Sequence, residues 1–168
     1  ITLKDGSVKQ YSEETSVISI AKDISDGLAR NVISAKFNNS VVEVNSMINE
    51  DGKLEFYTWD NGQGKSAFWH SSSHVMAQSI QELFPGVKLT IGPAINSGFY
   101  YDVDLGSHKI SESDFDKIES RMLEICREKH DFNLRPVSKK EAIKFYKEED
   151  NDYKLELIND LKDGEITF

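Results

Sequence analysis

At 168 residues, 38% hydrophobic and 29% charged, the chain is long enough for one ordinary domain or two small ones, and its composition predicts a soluble, cytoplasmic globular protein. A formal net charge of -9 argues against a main DNA or tRNA platform, because lysine and arginine supply most of the affinity for phosphate backbones; it leaves open a module that handles one nucleotide end. A lone cysteine excludes an intramolecular disulfide framework, and the apolar runs are too short for a membrane span or a signal peptide.

The opening ITLKDGSVKQY sets Asp5-Gly6 between two short β-prone runs and predicts a hairpin over residues 1–11. In EETSVISIAKDISDGLAR, Thr15 and Ser16 are candidate N-caps ahead of Val17, Ile20, Ala21 and Ile24, the spacing of one helix face, and Gly27 marks the expected stop. Alternation through Ile33, Ala35 and Phe37, turns at Asn38-Asn39 and Asp51-Gly52, and strand residues at Val41, Val42, Leu54, Phe56 and Thr58 follow. This predicts an α+β unit in which one helix covers one face of a mixed sheet.

The drop in hydrophobicity and the glycines of DNGQGK, residues 60–65, predict a linker before a second α+β unit. Beyond it come a helix over 66–84, strands near 88–91 and 99–105, a helix over 112–129 and a short strand over 133–137. A helix follows from the cap Ser138, with Glu141 in the capping-box position, and β-like stretches are expected at 153–157 and 166–168. Cys126 shares an apolar stripe with Phe115, Ile118, Met122 and Ile125 and is expected in the core. The chain begins at Ile1 without an initiator methionine and closes on a strand-like stretch, so a segment of a longer protein is expected.

In FWHSSSHVMAQSIQELFPG, residues 68–86, helical winding puts Phe68, Trp69, Val75, Met76, Ile80, Leu83 and Phe84 on one packing arc and His70 and His74 away from it, facing solvent or a cleft. Such imidazoles can be plain surface residues; they also converge on one point, where they can bind a metal or hold and protonate a ligand near neutral pH. Serines are mediocre helix formers, and small neighbours at Ala67, Ser71, Ser73 and Ala77 would leave a ligand room. Ser71 stands where a zinc protease needs glutamate, and His108, His130 and Cys126 have no spacing that ties them to the pair as further metal ligands. In IGPAINSGFYYDVDL, residues 91–105, Gly92-Pro93 and Ser97-Gly98 predict tight turns and Phe99 and Tyr100 predict core packing; the strand period leaves the exposure of Tyr101 open.

HSSSH leading to ELFPG, then IGPAINSGFYYDVD, then DYKLELI, closely resembles the second N-terminal domain of threonyl-tRNA synthetases, the domain that edits mischarged tRNA. The residues ahead of it resemble the small ubiquitin-like β-grasp module, called TGS, that precedes that domain in the same proteins. The resemblance implies a TGS domain over 1–61 and, over 65–168, an α+β editing domain incomplete at its C-terminus. It further implies that His70, His74, Tyr101 and Lys154 line a pocket that hydrolyses Ser-tRNA(Thr), with Ser72 where the family often has cysteine. A Cys-x-x-x-His motif is expected beyond Phe168. So are an aminoacylation domain with its ATP site, zinc and dimer contacts, and an anticodon-binding domain. Within this chain no cofactor or metal is expected; the expected partner is the acceptor end of tRNA(Thr) with its seryl group, and no membrane. Two rival expectations stand beside this: a noncatalytic TGS-containing regulatory or ligand-binding module, and a metal-dependent hydrolase with zinc on His70 and His74.

Overall fold

The computed structural model describes residues 1–162, 164 and 166–168. They form two compact units, residues 1–71 with 94–98 and residues 72–93 with 99–168.

The first unit opens with β1 (Thr2–Leu3), which turns back on itself as the Asp5-Gly6 signal predicts. Asp5 Oδ1 accepts from the Ser7 N–H, Gly6 takes φ +85°, and Thr2 bridges antiparallel to Val8. After β2 (Thr15–Ser16), the Ser16 hydroxyl accepts from the Ser19 N–H and starts α1 (Val17–Ile24). The helix stops before Gly27. Ser25 ends it and at once accepts from the Leu28 N–H to start α2 (Asp26–Asn31), so a second serine cap sets the break. Then come β3 (Ser34–Phe37), β4 (Ser40–Val42), β5 (Met47–Ile48) and β6 (Lys53–Tyr57). The sheet order is β1-β6-β3-β4, with β1 parallel to β6 and the other pairs antiparallel; β2 pairs separately with β5. In the register that sets Phe37 opposite Leu54, alternation delivers Ala35, Phe37 and Leu54 to the core formed with Val17, Ile20 and Ile48 of the helix and edge. Gly52 passes so close to the Phe37 ring that a Cβ there would lie 2.5 Å from it.

The expected linker is instead the entry to α3 (Gly62–Leu83). Asn61 Oδ1 accepts from the Gly64 N–H at 2.7 Å, and a Cβ on Gly64 would sit 1.9 Å from the Thr58 carbonyl, so that glycine serves a close approach. The buried residues along α3 are Gly64, Ser73, Ala77, Ser79 and Ile80, with Val75 and Met76 half-buried and Phe68 exposed. The packing face is thus turned from the expected aromatic arc toward small residues. Phe68 and Trp69 meet Trp59 edge-on, at 5.1 and 5.2 Å between centroids, within the first unit.

In the second unit β7 (Lys88–Leu89) pairs antiparallel with β10 (Val103–Asp104); between them in the chain β8 (Ala94–Ile95) and β9 (Gly98–Phe99) form a hairpin whose residues 94–98 group with the first unit. The strand expected over 99–105 is therefore interrupted at Tyr100 and Tyr101. Tyr100 is exposed, not core, and the chain there swings to lay the Tyr101 ring on Gly92. In α4 (Glu112–Glu128) the buried strip runs through Asp114, Ile118 and Ile125. Phe115 and Cys126 lie on the exposed side, correcting the core reading of the thiol: at about 100° per residue both fall roughly 60–80° off the Ile118 line.

Ser138 caps α5 (Lys139–Glu148) as predicted, accepting from the Glu141 N–H at 3.2 Å. Residues 152–160, expected to include a β-like stretch, form α6 (Asp152–Asp160), because Asn151 caps the Lys154 N–H and Ile158 reaches the cluster of Val137, Ala142 and Ile166. The two short terminal strands do meet: Pro136 bridges to Thr167, and Arg135 and Phe168 exchange backbone hydrogen bonds.

Candidate functional site

Helix α3 presents His70 and His74 one turn apart, both exposed, as the winding predicts. Of the three serines between them, Ser73 has a different task from making room. Ser73 is 1% exposed and its Oγ donates to the Gly92 carbonyl at 3.0 Å. Ala77 is buried too, so of the proposed small neighbours only Ser71 stays exposed and Ala67 partly so. The His74 ring lies 6.1 Å, edge-on, from Phe132, which is 60% exposed.

Gly92 carries the next candidate. A Cβ built on it would lie 2.1 Å from Tyr101 Cδ2, so the tyrosine ring rests directly on the glycine and the site depends on the missing side chain. Tyr101 is half-buried; burial, then the neighbouring Tyr146 phenol, holds its hydroxyl above the usual phenol range and therefore protonated at neutral pH.

Lys154 lies in the first turn of α6, half-buried, with its backbone N–H on Asn151 Oδ1 at 3.1 Å. Burial disfavours the ammonium form and lowers its pKa. The same helix end is tied to the β7–β10 ribbon at several points. Asn151 Nδ2 donates to the Leu89 carbonyl at 3.0 Å, the Tyr153 hydroxyl donates to Asp104 at 2.8 Å, and Lys88 pairs with Asp150 at 2.9 Å. His74, Tyr101 and Lys154 thus belong to the second unit, while His70 lies in the stretch of α3 grouped with the first. Sequence reasoning singled out these four and missed Ser73, Gly92 and Asn151 as their supports; an asparagine ahead of a helix was the one readable signal among the three.

Among the described residues no group of three or more histidine, cysteine, aspartate or glutamate side chains could hold a metal ion. His130 instead pairs with Glu128 at 2.8 Å, and His108 stacks near Phe84. An open groove of about 880 Å³ lies in the first unit, where Glu13, Glu14, Glu50 and Asp51 line it. Those carboxylates disfavour a phosphate ligand there. No described helix is long and apolar enough to cross a membrane.

The mixed sheet with its covering helix, followed by a mixed helix and strand unit, makes this an α+β protein with a TGS domain at its N-terminus: residues 1–58 match the TGS domain family. Over its whole length the chain is similar to threonine–tRNA ligases, being 60% identical to that of Flavobacterium psychrophilum and 57% to that of Flavobacterium johnsoniae. It is 47% identical to that of Caldanaerobacter subterraneus over the same extent. In each case 100% of this chain corresponds to 26% of the relative, so the chain spans about a quarter of the length of the relatives it matches. That quarter is their N-terminal part.

Proposed function

We propose that this chain serves, within a threonine–tRNA ligase that joins threonine to tRNA(Thr) using ATP, the hydrolysis of mischarged Ser-tRNA(Thr). Residues 1–61 form the TGS module and residues 65–168 the greater part of the editing domain, while the ATP site, zinc and dimer contacts belong to sequence outside this chain. The observation that carries the reading is the combination, in a chain similar end to end to such ligases, of an exposed histidine pair with a half-buried lysine of lowered pKa.

The need for such a site follows from magnitudes. Serine and threonine differ by one methyl, worth roughly 1–3 kcal/mol of discrimination, too little for accurate translation, so the wrong ester has to be removed afterwards. In the hydrolysis a water oxygen attacks the seryl carbonyl carbon, the bond to the terminal ribose oxygen breaks, and that oxygen takes a proton. His70 and His74 engage the terminal ribose or the charge developing on it. Lys154 stabilises the oxyanion or orders the water; with its pKa lowered toward the working range it gives up a proton more readily than an ordinary lysine. Tyr101, fixed on Gly92 and protonated, bounds the pocket and excludes the extra methyl of threonine. The acidic balance of the chain is compatible with this task, since only the single-stranded acceptor end has to enter.

In the full-length protein, His70→Ala should abolish hydrolysis of Ser-tRNA(Thr) and leave threonine activation intact; retained hydrolysis would reject the assignment. Comparing the 168-residue chain with one extended through the expected Cys-x-x-x-His motif tests whether the site needs its remaining part. Hydrolysis of neither the seryl nor the threonyl ester by either form would turn the reading toward a regulatory TGS module.

A further inference from the structure

The stretch Leu89–Gly92 is gripped at both ends by buried side chains of helices or their caps. At one end Asn151, 8% exposed, donates Nδ2 to the Leu89 carbonyl at 3.0 Å while its Oδ1 accepts from the Lys154 N–H at 3.1 Å. At the other, Ser73 donates its hydroxyl to the Gly92 carbonyl at 3.0 Å. Between them Thr90 N–H donates to the Asp102 carbonyl at 3.1 Å and Asp102 N–H to the Ile91 carbonyl at 2.9 Å, which fixes the residue next to Tyr101. Each grip ends on a neighbour of a candidate site residue: Ser73 precedes His74 in α3, Gly92 carries the Tyr101 ring, and Asn151 holds the backbone of Lys154.

The residue types support more than packing. Alanine would suit a buried helical position better than serine on propensity alone, and the amide of asparagine carries its acceptor and its donors on separate atoms, so it can accept at a helix cap while donating to a carbonyl on another element. We infer that Ser73 and Asn151 are positioning residues, which hold His74, Tyr101 and Lys154 in one frame through the shared Leu89–Gly92 stretch. This rests on the editing reading. Neither side chain is assigned a contact with substrate; each acts through the backbone it holds.

The test uses the full-length protein, with kcat and KM measured for Ser-tRNA(Thr) hydrolysis in Ser73→Ala, Asn151→Ser and the double variant. Serine at 151 can still cap the helix but cannot donate to Leu89, which separates the grip from the cap. Each single variant should lose kcat by about 10- to 100-fold with KM and threonine activation unchanged, since displacing reacting groups by an ångström costs on the order of 100-fold. The double variant should lose less than the product of the singles, because both grips act on one stretch. Unchanged kcat in the singles, or losses that multiply in full, would overturn the inference. So would losses that come with a raised KM and with lowered threonine activation and melting temperature, the mark of a merely structural role. If the unaltered protein leaves Ser-tRNA(Thr) intact, the editing reading fails and the inference with it; an active parent with silent variants sinks only the positioning role.

Discussion

The two units hold themselves together by different means. The first buries a continuous apolar cluster, Val17, Ile20, Ala35, Phe37, Ile48 and Leu54, between a helix and a four-stranded sheet. The second has two-residue strands, a smaller cluster around Val137, Ala142, Ile158 and Ile166, and buried polar side chains, Ser73, Ser79, Asp114 and Asn151, that hydrogen-bond backbone. Apolar burial is strong but non-directional, whereas a hydrogen bond fixes a distance and an angle. If the second unit serves the proposed hydrolysis, the second kind of support is the one that would hold its reacting groups in register.

The sharpest break between the two is expected at Leu54, 1% exposed at the centre of the first cluster. Leu54→Ala should destabilise that unit by about 2–5 kcal/mol, the usual range for a buried leucine truncation that leaves a cavity. Amide hydrogen exchange should show protection lost across residues 15–57 and retained in α4 and α5. Equal loss in both would mean that the units share one cooperative fold.

Gly92→Ala is the next largest. Its Cβ would overlap the Tyr101 ring, so the ring or the loop has to move, and overpacking of this kind costs about 1–3 kcal/mol. The effect that sharpens the comparison is functional. On the proposed function, displacing Tyr101 should let the full-length protein hydrolyse Thr-tRNA(Thr) as well as the seryl ester, and unaltered discrimination would remove Tyr101 from the proposed pocket wall.

Ser79→Ala tests a polar support away from the candidate site. The hydroxyl is fully buried and donates to the Ile118 carbonyl at 3.0 Å, so its loss should cost about 1 kcal/mol, seen as a lowered denaturation midpoint with an unchanged slope.

Lys154 gives the same comparison a pH dependence. Its folded-state pKa lies below the ordinary lysine value, so the unfolded chain binds the proton more tightly and protonation opposes folding. That penalty is fully present below the folded pKa and fades as pH rises from there to the unfolded value. Lys154→Met should therefore stabilise the second unit at neutral pH relative to the parent, with the gap closing under alkaline conditions; a gap that widens with pH would contradict the burial.

The first unit was largely legible in the sequence, because its core positions repeat at the helix and strand periods and its turns carry Asp-Gly and Asn-Asn. The exposure of His70 and His74 was legible for the same reason. What hid in the second unit were supports whose partners are remote: the Gly92 carbonyl for Ser73, the Leu89 carbonyl for Asn151, and the Ile118 carbonyl for Ser79. A serine inside a helix shows in its spacing neither which carbonyl it meets nor that it is buried. Residues 153–157 misled in the other direction, since Tyr, Leu and Leu alternate with charges as in a strand until the asparagine cap decides for a helix.

Arg121 should give the smallest effect, and its smallness is informative. From α4 it reaches Glu82 of α3 and also Glu124 and Glu128 of its own helix, an arrangement that raises its already high pKa and lowers that of Glu82, while Glu128 is held low first by His130 and then by Arg121. The partners are solvent-accessible, so water and salt screen the attraction, and the cost of holding long side chains offsets much of it. Arg121→Gln should destabilise the second unit less than Ser79→Ala, and the difference from the parent should shrink as salt is raised. A loss that exceeds the Ser79 variant and persists in high salt would mean that charge, alongside short directional bonds from small polar residues, holds this unit together.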